Sequence, residues 1–276
     1  MKSKSANKRG QVEFSSPQEL ASEIRREIAG GSPFFYDRES WTGEKLTDSL
    51  ERTATGHTAR VPEAERLLDA IEAEIEQSAP EWQNDVAGAF PDVPAFLAGA
   101  PECMRRRIQT ISERAPVRVW VDVSSSAGIS HDMLARRGVA ALALSMQLIR
   151  QGRAVELLTF TSLDGQAGGQ SCIVVRMVTA PVDIASVAHC LTSSGFSRSL
   201  CYGVARVANG FTGGWSDFYV HSGDWNKRIA GARRTLAGLA APSDIILPAP
   251  YLDDINSEMF TAPAKWVSRM VTSVSE

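Results

Sequence analysis

The chain has 276 residues, 43% of them hydrophobic and 22% charged, with a formal net charge of -3 and an isoelectric point near 5.9. This is the composition of a folded globular protein, long enough for one large domain or for a core domain with an appendage. It excludes a bulk electrostatic attraction to nucleic acid or to an anionic membrane, and the sequence contains no apolar run of ~18 residues to span a bilayer.

Residues 1–10 carry Lys2, Lys4, Lys8 and Arg9 without a large apolar residue to anchor them. They read as a disordered basic tail, and they lack the apolar centre of a secretion signal. The stretch "SSPQELASEIRREIAG" then opens the folded part. Ser16 is placed to cap, Pro17 suits the first helical position, and Glu19 completes a capping box. Leu20, Ile24 and Ile28 share one face, and Gly30 with Gly31 ends the helix. After an aromatic loop, a second helix is expected over Glu44 to Ala54. A third runs from Pro62 to Gln77, with Leu67, Leu68, Ile71 and Ile75 as its buried stripe. The Pro-, Gly- and Ala-rich segment from Asp85 to Met104 reads as an ordered connector. Arg105, Arg106 and Arg107 after it read as a helix start or as members of ion pairs.

The texture changes at "VRVWVDV", a strand apolar on both faces near its end. "SHDMLARRGVAALALSMQLIRQG" is one long helix, capped by Ser130 and stopped by Gly152, and apolar nearly all round from Ala140 to Ile149. "RAVELLTF" and "CIVVRMV" are strands with no room for a helix between them. That pair can be antiparallel, with one strand at a sheet edge. Short helices follow over "PVDIASVAHCL" and "RSLCYGVARVAN". Then come a strand in "SDFYVHSGDW", a helix in "WNKRIAGARRTLAGLA", a strand in "DIILPA" and a closing helix in "PAKWVSRMVTSV".

This alternation predicts an α/β domain: a three-layer sandwich with a mostly parallel sheet, preceded by a helical N-terminal region. The predicted divisions are the tail at 1–10, the helical region and connector at 11–111, and the α/β domain at 112–276.

Ligands of open α/β sheets collect at the carboxyl ends of strands. The first strand of the domain ends in Asp122, Ser124 and Ser126, a D-x-S-x-S spacing that aims one carboxylate and two hydroxyls at one spot. Oxygen donors of this kind suit a hard cation such as Mg²⁺. The alternative role for these side chains is to cap the turn between strand and helix.

The run "VWVDVSSSAG", the long helix and "QGRAVELLTF" together resemble the start of a von Willebrand factor type A (vWA) domain, over about residues 116 to 248. In that family the D-x-S-x-S loop is the first of three that form a metal-ion-dependent adhesion site (MIDAS). The resemblance implies a divalent cation, Mg²⁺ or Mn²⁺, held with positions left open for a partner protein's carboxylate. It implies Ser197 as the second-loop hydroxyl, with Thr192 and Ser199 as weaker candidates, and Asp224 as the third-loop carboxylate. Ser197 and Asp224 can equally be helix caps. The N-terminal part with "DVPAFLAGAPECM" resembles phage-encoded proteins without assigned function, which implies a viral or prophage origin.

No G-x-S-x-G, G-x-G-x-x-G or G-x-x-x-x-G-K-[ST] motif is present, so neither hydrolase nor nucleotide chemistry is indicated. Cys103, Cys172, Cys190 and Cys201 form no CxxC pair and no zinc-ligand spacing, which suits a reducing cytoplasm. His57, His131, His189 and His221 lie far apart in sequence. A second functional reading comes from Trp215 and Trp225, with Lys227 and Arg228 beside them: aromatic platforms and cations that bind single-stranded nucleic acid. The expectation from sequence is therefore a cytoplasmic, non-enzymatic, cation-dependent protein-binding domain, with a replication or transcription factor that binds single strands as the alternative.

Overall fold

A computed structural model of the protein describes residues 11–35, 39–75, 82–88, 90–107, 116–125, 128–164, 170–177, 183–208 and 224–275. The basic tail, Ser126, Trp215, His221 and the strand expected within "SDFYVHSGDW" lie outside the described residues.

Eight strands and eleven α-helices are present among the described residues. In chain order the first are β1 (Gln11–Phe14), α1 (Pro17–Ala29), α2 (Glu39–Thr42), α3 (Leu46–Thr55) and α4 (Val61–Ile75). Next come β2 (Trp82–Asp85), β3 (Phe90–Pro91), α5 (Val93–Leu97), β4 (Met104–Arg107), β5 (Val117–Asp122), α6 (His131–Arg150), β6 (Val155–Asp164) and β7 (Gln170–Arg176). The chain finishes with α7 (Ile184–Thr192), a π-helical turn at Phe196–Cys201, α8 (Tyr202–Ala208), α9 (Trp225–Thr235), β8 (Ile245–Leu247), a 3₁₀ turn at Leu252–Asn256, α10 (Glu258–Thr261) and α11 (Pro263–Ser275). The chain clusters into two compact units, residues 1–68 with 116–276, and residues 69–115.

The larger unit is built on a five-stranded sheet of order β1-β7-β6-β5-β8. It is mostly parallel: β1 with β7, β6 with β5, and β5 with β8. Only β6 and β7 pair antiparallel, as the short connection between them requires. The expectation that this pair puts a strand at the edge needs correction. β1 pairs along β7 from Gln11↔Cys172 to Phe14↔Val175 and covers it, so the outer strands of this sheet are β1 and β8.

Both alternating sets of side chains in the central strands are buried, as a parallel sheet demands. One set (Trp120, Leu158, Phe160, Val174 and Ile246) packs with Ala232 and Leu236, from and just after α9. The other set includes Val119, Val121 and Leu157, all fully buried. The Trp120 indole donates to Asp244 Oδ2 at 2.8 Å, which satisfies its one polar atom in the core. The long helix α6 starts at the Ser130 cap, whose hydroxyl accepts from the Met133 N–H, and its middle is buried all round. It approaches α7 so closely that a Cβ on Gly138 would lie 2.2 Å from the Leu191 carbonyl oxygen.

In α1 the Ser16 hydroxyl accepts from the Glu19 N–H. The Glu19 carboxylate turns outward and accepts from the Ser15 N–H and hydroxyl, one residue before the cap expected to hold it. Leu20, Ala21 and Ile24 are buried, whereas Ile28 in the last turn is 37% exposed.

The smaller unit contains the segment expected to be a connector. Its three strands pair antiparallel in the order β2-β4-β3. Asp92 caps α5 through the Ala95 N–H at 3.2 Å and pairs with Arg105 Nε at 3.3 Å. Arg105, Arg106 and Arg107 therefore lie in a strand and not at a helix start.

Candidate functional site

β5 lies where the sheet order reverses direction. The chain passes from β5 through α6 to β6 on one side, and β8 returns on the other. In a mostly parallel sheet, a crevice forms at the carboxyl end of such a strand, and here its lips are the loops that follow β5 and β8.

Asp122 ends β5 and is 4% exposed; Ser124 and Ser125 are fully buried. The Asp122 Oδ1 accepts from the Ser124 N–H at 2.9 Å, which closes the turn. Burial pushes the Asp122 carboxyl up to about 6. The Ser124 hydroxyl and N–H, the positive charge of Arg137 and the Ala249 N–H pull it back only in part. An ionised carboxylate in a dry site is costly even with these donors, and the raised pKa expresses that cost.

Three arginines, all 2–3% exposed, surround this turn. Arg137, from α6, donates to the Leu247 carbonyl at 2.9 Å and the Pro248 carbonyl at 2.7 Å, holding the loop after β8 in place. Burial lowers its pKa to about 10, against the pull of Asp122 and Asp254. Arg228, from α9, grips Asp254 through two parallel bonds of 2.6 and 2.5 Å and donates to the Ala249 carbonyl at 2.7 Å. Its guanidinium also lies 5.2 Å from the centre of the Trp225 ring. Arg198, in the π-helical turn, donates to Ser125 Oγ at 3.1 Å, to the Trp41 carbonyl at 3.0 Å and to the Ile129 carbonyl. Arg198 lies within the π turn, a backbone form found often at functional sites.

Ser197 stands beside the turn: its hydroxyl donates to the Val123 carbonyl. Among the described residues nothing donates to its oxygen, whose lone pairs can accept a further interaction. Thr192 spends its hydroxyl on the Ala188 carbonyl within its own helix, at 2.7 Å, and Ser199 is buried in the π turn. Asp224 is exposed and caps α9, accepting from the Lys227 N–H at 3.0 Å. Lys227 is exposed and Trp225 half-buried. The nucleic-acid reading of Arg228 needs correction, because both of its terminal nitrogens are committed to Asp254 and Ala249 inside the protein. The guanidinium is buried at 2% exposure, away from where a phosphate would approach from solvent.

Sequence reasoning missed Arg137, Arg198 and Asp254. An arginine in a helix reads as solvated, and Asp254 lies in the loop after β8, a strand recognised without its place beside β5. The nearest thing to a signal was Arg137 lying directly before an apolar run.

Oxygen donors at this turn fit a hard cation: the Asp122 carboxylate and the hydroxyls of Ser124 and Ser197. They supply one carboxylate. Among the described residues, no group of three or more His, Cys, Asp or Glu side chains is placed to hold a metal ion. A cation here would depend on hydroxyls, water and a ligand from outside.

A family model described as Domain of unknown function (DUF7192) matches residues 3–237. No curated protein and no solved structure matches the chain.

Proposed function

The chain belongs to the DUF7192 domain family, and from its geometry we propose a binding protein whose site at the end of β5 carries out no chemistry of its own. It takes up one divalent cation, Mg²⁺ or Mn²⁺, at the end of β5, and uses it to hold a carboxylate of a protein partner. Asp122, Ser124, Ser126 and Ser197 are the donors. Asp224 is left out of the set because it serves α9 as a cap. Asp254 is closed off by Arg228. With a single protein carboxylate, the ion keeps positive charge and open positions, which an incoming carboxylate would fill.

One observation carries this reading. Asp122 is a buried carboxyl at the turning point of the sheet, and among the described residues no guanidinium forms an ion pair with it. Its neighbour Asp254, equally enclosed, has a bidentate arginine. A protein that needed Asp122 only for packing would do better with a neutral residue.

The fold in this proposal is a three-layer α/β sandwich of vWA type. In order of appearance, β5, β6, β7 and β8 lie in the sheet as third-second-first-fourth, with the third reversed. That order supports a doubly wound arrangement. The compartment is the cytoplasm, the host's if the phage resemblance holds, and the partner is a protein. Among the described residues no helix is long and apolar enough to cross a membrane. The single-strand reading retains Trp225 and Lys227, and no observation favours it.

The test is a Mn²⁺ titration of wild type and Asp122→Asn, followed by calorimetry and by proton release at pH 6. The proposal expects one site in wild type, about half a proton released per ion because the carboxyl is half-protonated there, and no binding by the variant. Absence of binding by wild type, or equal binding by both, overturns it.

A further inference from the structure

Three of the four histidines, scattered in sequence, meet in space. His57, His131 and His189 line an open cavity of about 390 Å³ together with Glu44, Arg52 and Ser194. This volume is that of a small-molecule site, and the cavity lies apart from the Asp122 turn.

Two of its groups are paired as a nucleophile and a base would be. His131 Nδ1 lies 2.8 Å from Ser194 Oγ. The imidazole is also hydrogen-bonded to the Ser40 backbone carbonyl, which fixes its orientation. Burial and the nearby Arg198 charge hold its pKa below the ordinary imidazole value, so it is neutral and basic at neutral pH. The Ser194 hydroxyl has two acceptors in reach, His131 and the Thr42 carbonyl, and its hydrogen can turn to either.

Two further features point to a ligand. Gly43, at φ +77°, brings bare backbone against the pair: a Cβ there would lie 2.9 Å from His131 Nδ1 and 3.0 Å from Ser194 Oγ. Any side chain at this position would collide with both reacting atoms. Deeper in the cavity, His189 is 3% exposed and packs edge-on against His57 with ring centres 6.3 Å apart. Burial lowers its pKa to about 4, and among the described residues its Nε2 has no hydrogen-bond partner. A buried polar atom left without a partner has a cost, and a donor on a ligand in the cavity would remove it.

We propose that this cavity is a second, catalytic site, in which Ser194 is the nucleophile and His131 the general base for acyl transfer from small esters. Ser194 Oγ bonds to the carbonyl carbon as its proton passes to His131 Nδ1. The carbon–alkoxy bond breaks, and the alkoxide takes that proton and leaves as an alcohol. Water then attacks the acyl-serine with His131 again as base, releasing a carboxylic acid and regenerating the hydroxyl. His189 Nε2 accepts a hydrogen bond from a hydroxyl or amide N–H of the substrate and sets its orientation. The proposal does not depend on the cation site.

The test uses the whole protein and a fluorophosphonate, which is attacked by activated serines. Peptide mass spectrometry should find one adduct, on Ser194. Across pH 5 to 8 the labelling rate should level off, since burial holds His131 below the ordinary imidazole pKa, and it should fall about 100-fold or more in His131→Ala. Ser194→Ala should retain the wild-type melting profile and take up no probe. No adduct on Ser194, or a rate that climbs with hydroxide across that range as for an unassisted alcohol, overturns the proposal. The pH profile is measured on wild type, so the test survives a variant that does not fold.

Discussion

Replacing Asp122 by Asn should make the cation-free protein more stable at neutral pH. In the folded state the carboxyl titrates at about 6 because it is buried; in the unfolded chain it titrates near the ordinary 3.8 of an aspartate. Between those values the folded state holds the proton and the unfolded state does not. Stability from this group therefore falls as pH rises through the window. The difference of about 2 pH units corresponds to a cost of about 3 kcal/mol at pH 7, falling to about 1 kcal/mol at pH 4.5. Asn keeps the acceptor for the Ser124 N–H without the charge. At about 2–4 °C per kcal/mol for a chain of this size, the variant should melt roughly 6–12 °C higher at pH 7, with the gap narrowing towards pH 4.5. Thermal melts of both proteins in chelator across that range test this. A variant that melts lower than wild type at pH 7, or a gap independent of pH, would refute the reasoning that a buried, poorly compensated charge resides at the end of β5.

His189 gives the opposite slope. Its folded pKa of about 4 lies below the ordinary imidazole value, so the stability it contributes is present above pH 6.5 and is lost as pH falls towards 4. Urea titrations should show His189→Gln losing up to about 3 kcal/mol of that acid sensitivity. Arg228→Met should cost about 3–5 kcal/mol by leaving Asp254 buried without a partner, and adding Asp254→Leu should recover most of it; denaturant midpoints of the single and double variants measure this. Gly138→Ala forces a Cβ against the Leu191 carbonyl, and chemical unfolding should show a loss of about 1–3 kcal/mol or more.

The centre of the fold was legible because its elements are long and strongly patterned. β5 and α6 carry the apolar continuity and the Ser130 and Gly152 punctuation that burial in a parallel sheet demands. β1 was missed because "QVEF" is four residues long and alternates weakly; only pairing with β7 makes it a strand. The smaller unit was read as a connector for a related reason: its strands are only two to four residues long. At the site, Asp122 and Ser124 could be read from their place after a buried strand. The arginines around them could not, because a guanidinium is buried only by partners that tertiary structure supplies: carbonyls of the β8 loop for Arg137, and Asp254 for Arg228. The histidine cavity was hidden for the same reason, since His57, His131 and His189 are brought together by three different elements or loops.

The most direct measurement is the water relaxation enhancement of Mn²⁺ in the presence of wild-type and Asp122→Asn protein, with Mg²⁺ as competitor. A cation with open positions at the end of β5 predicts one enhanced, Mg²⁺-displaceable ion in wild type and none in the variant. Mn²⁺ that remains free with both proteins, or binds both alike, would contradict it.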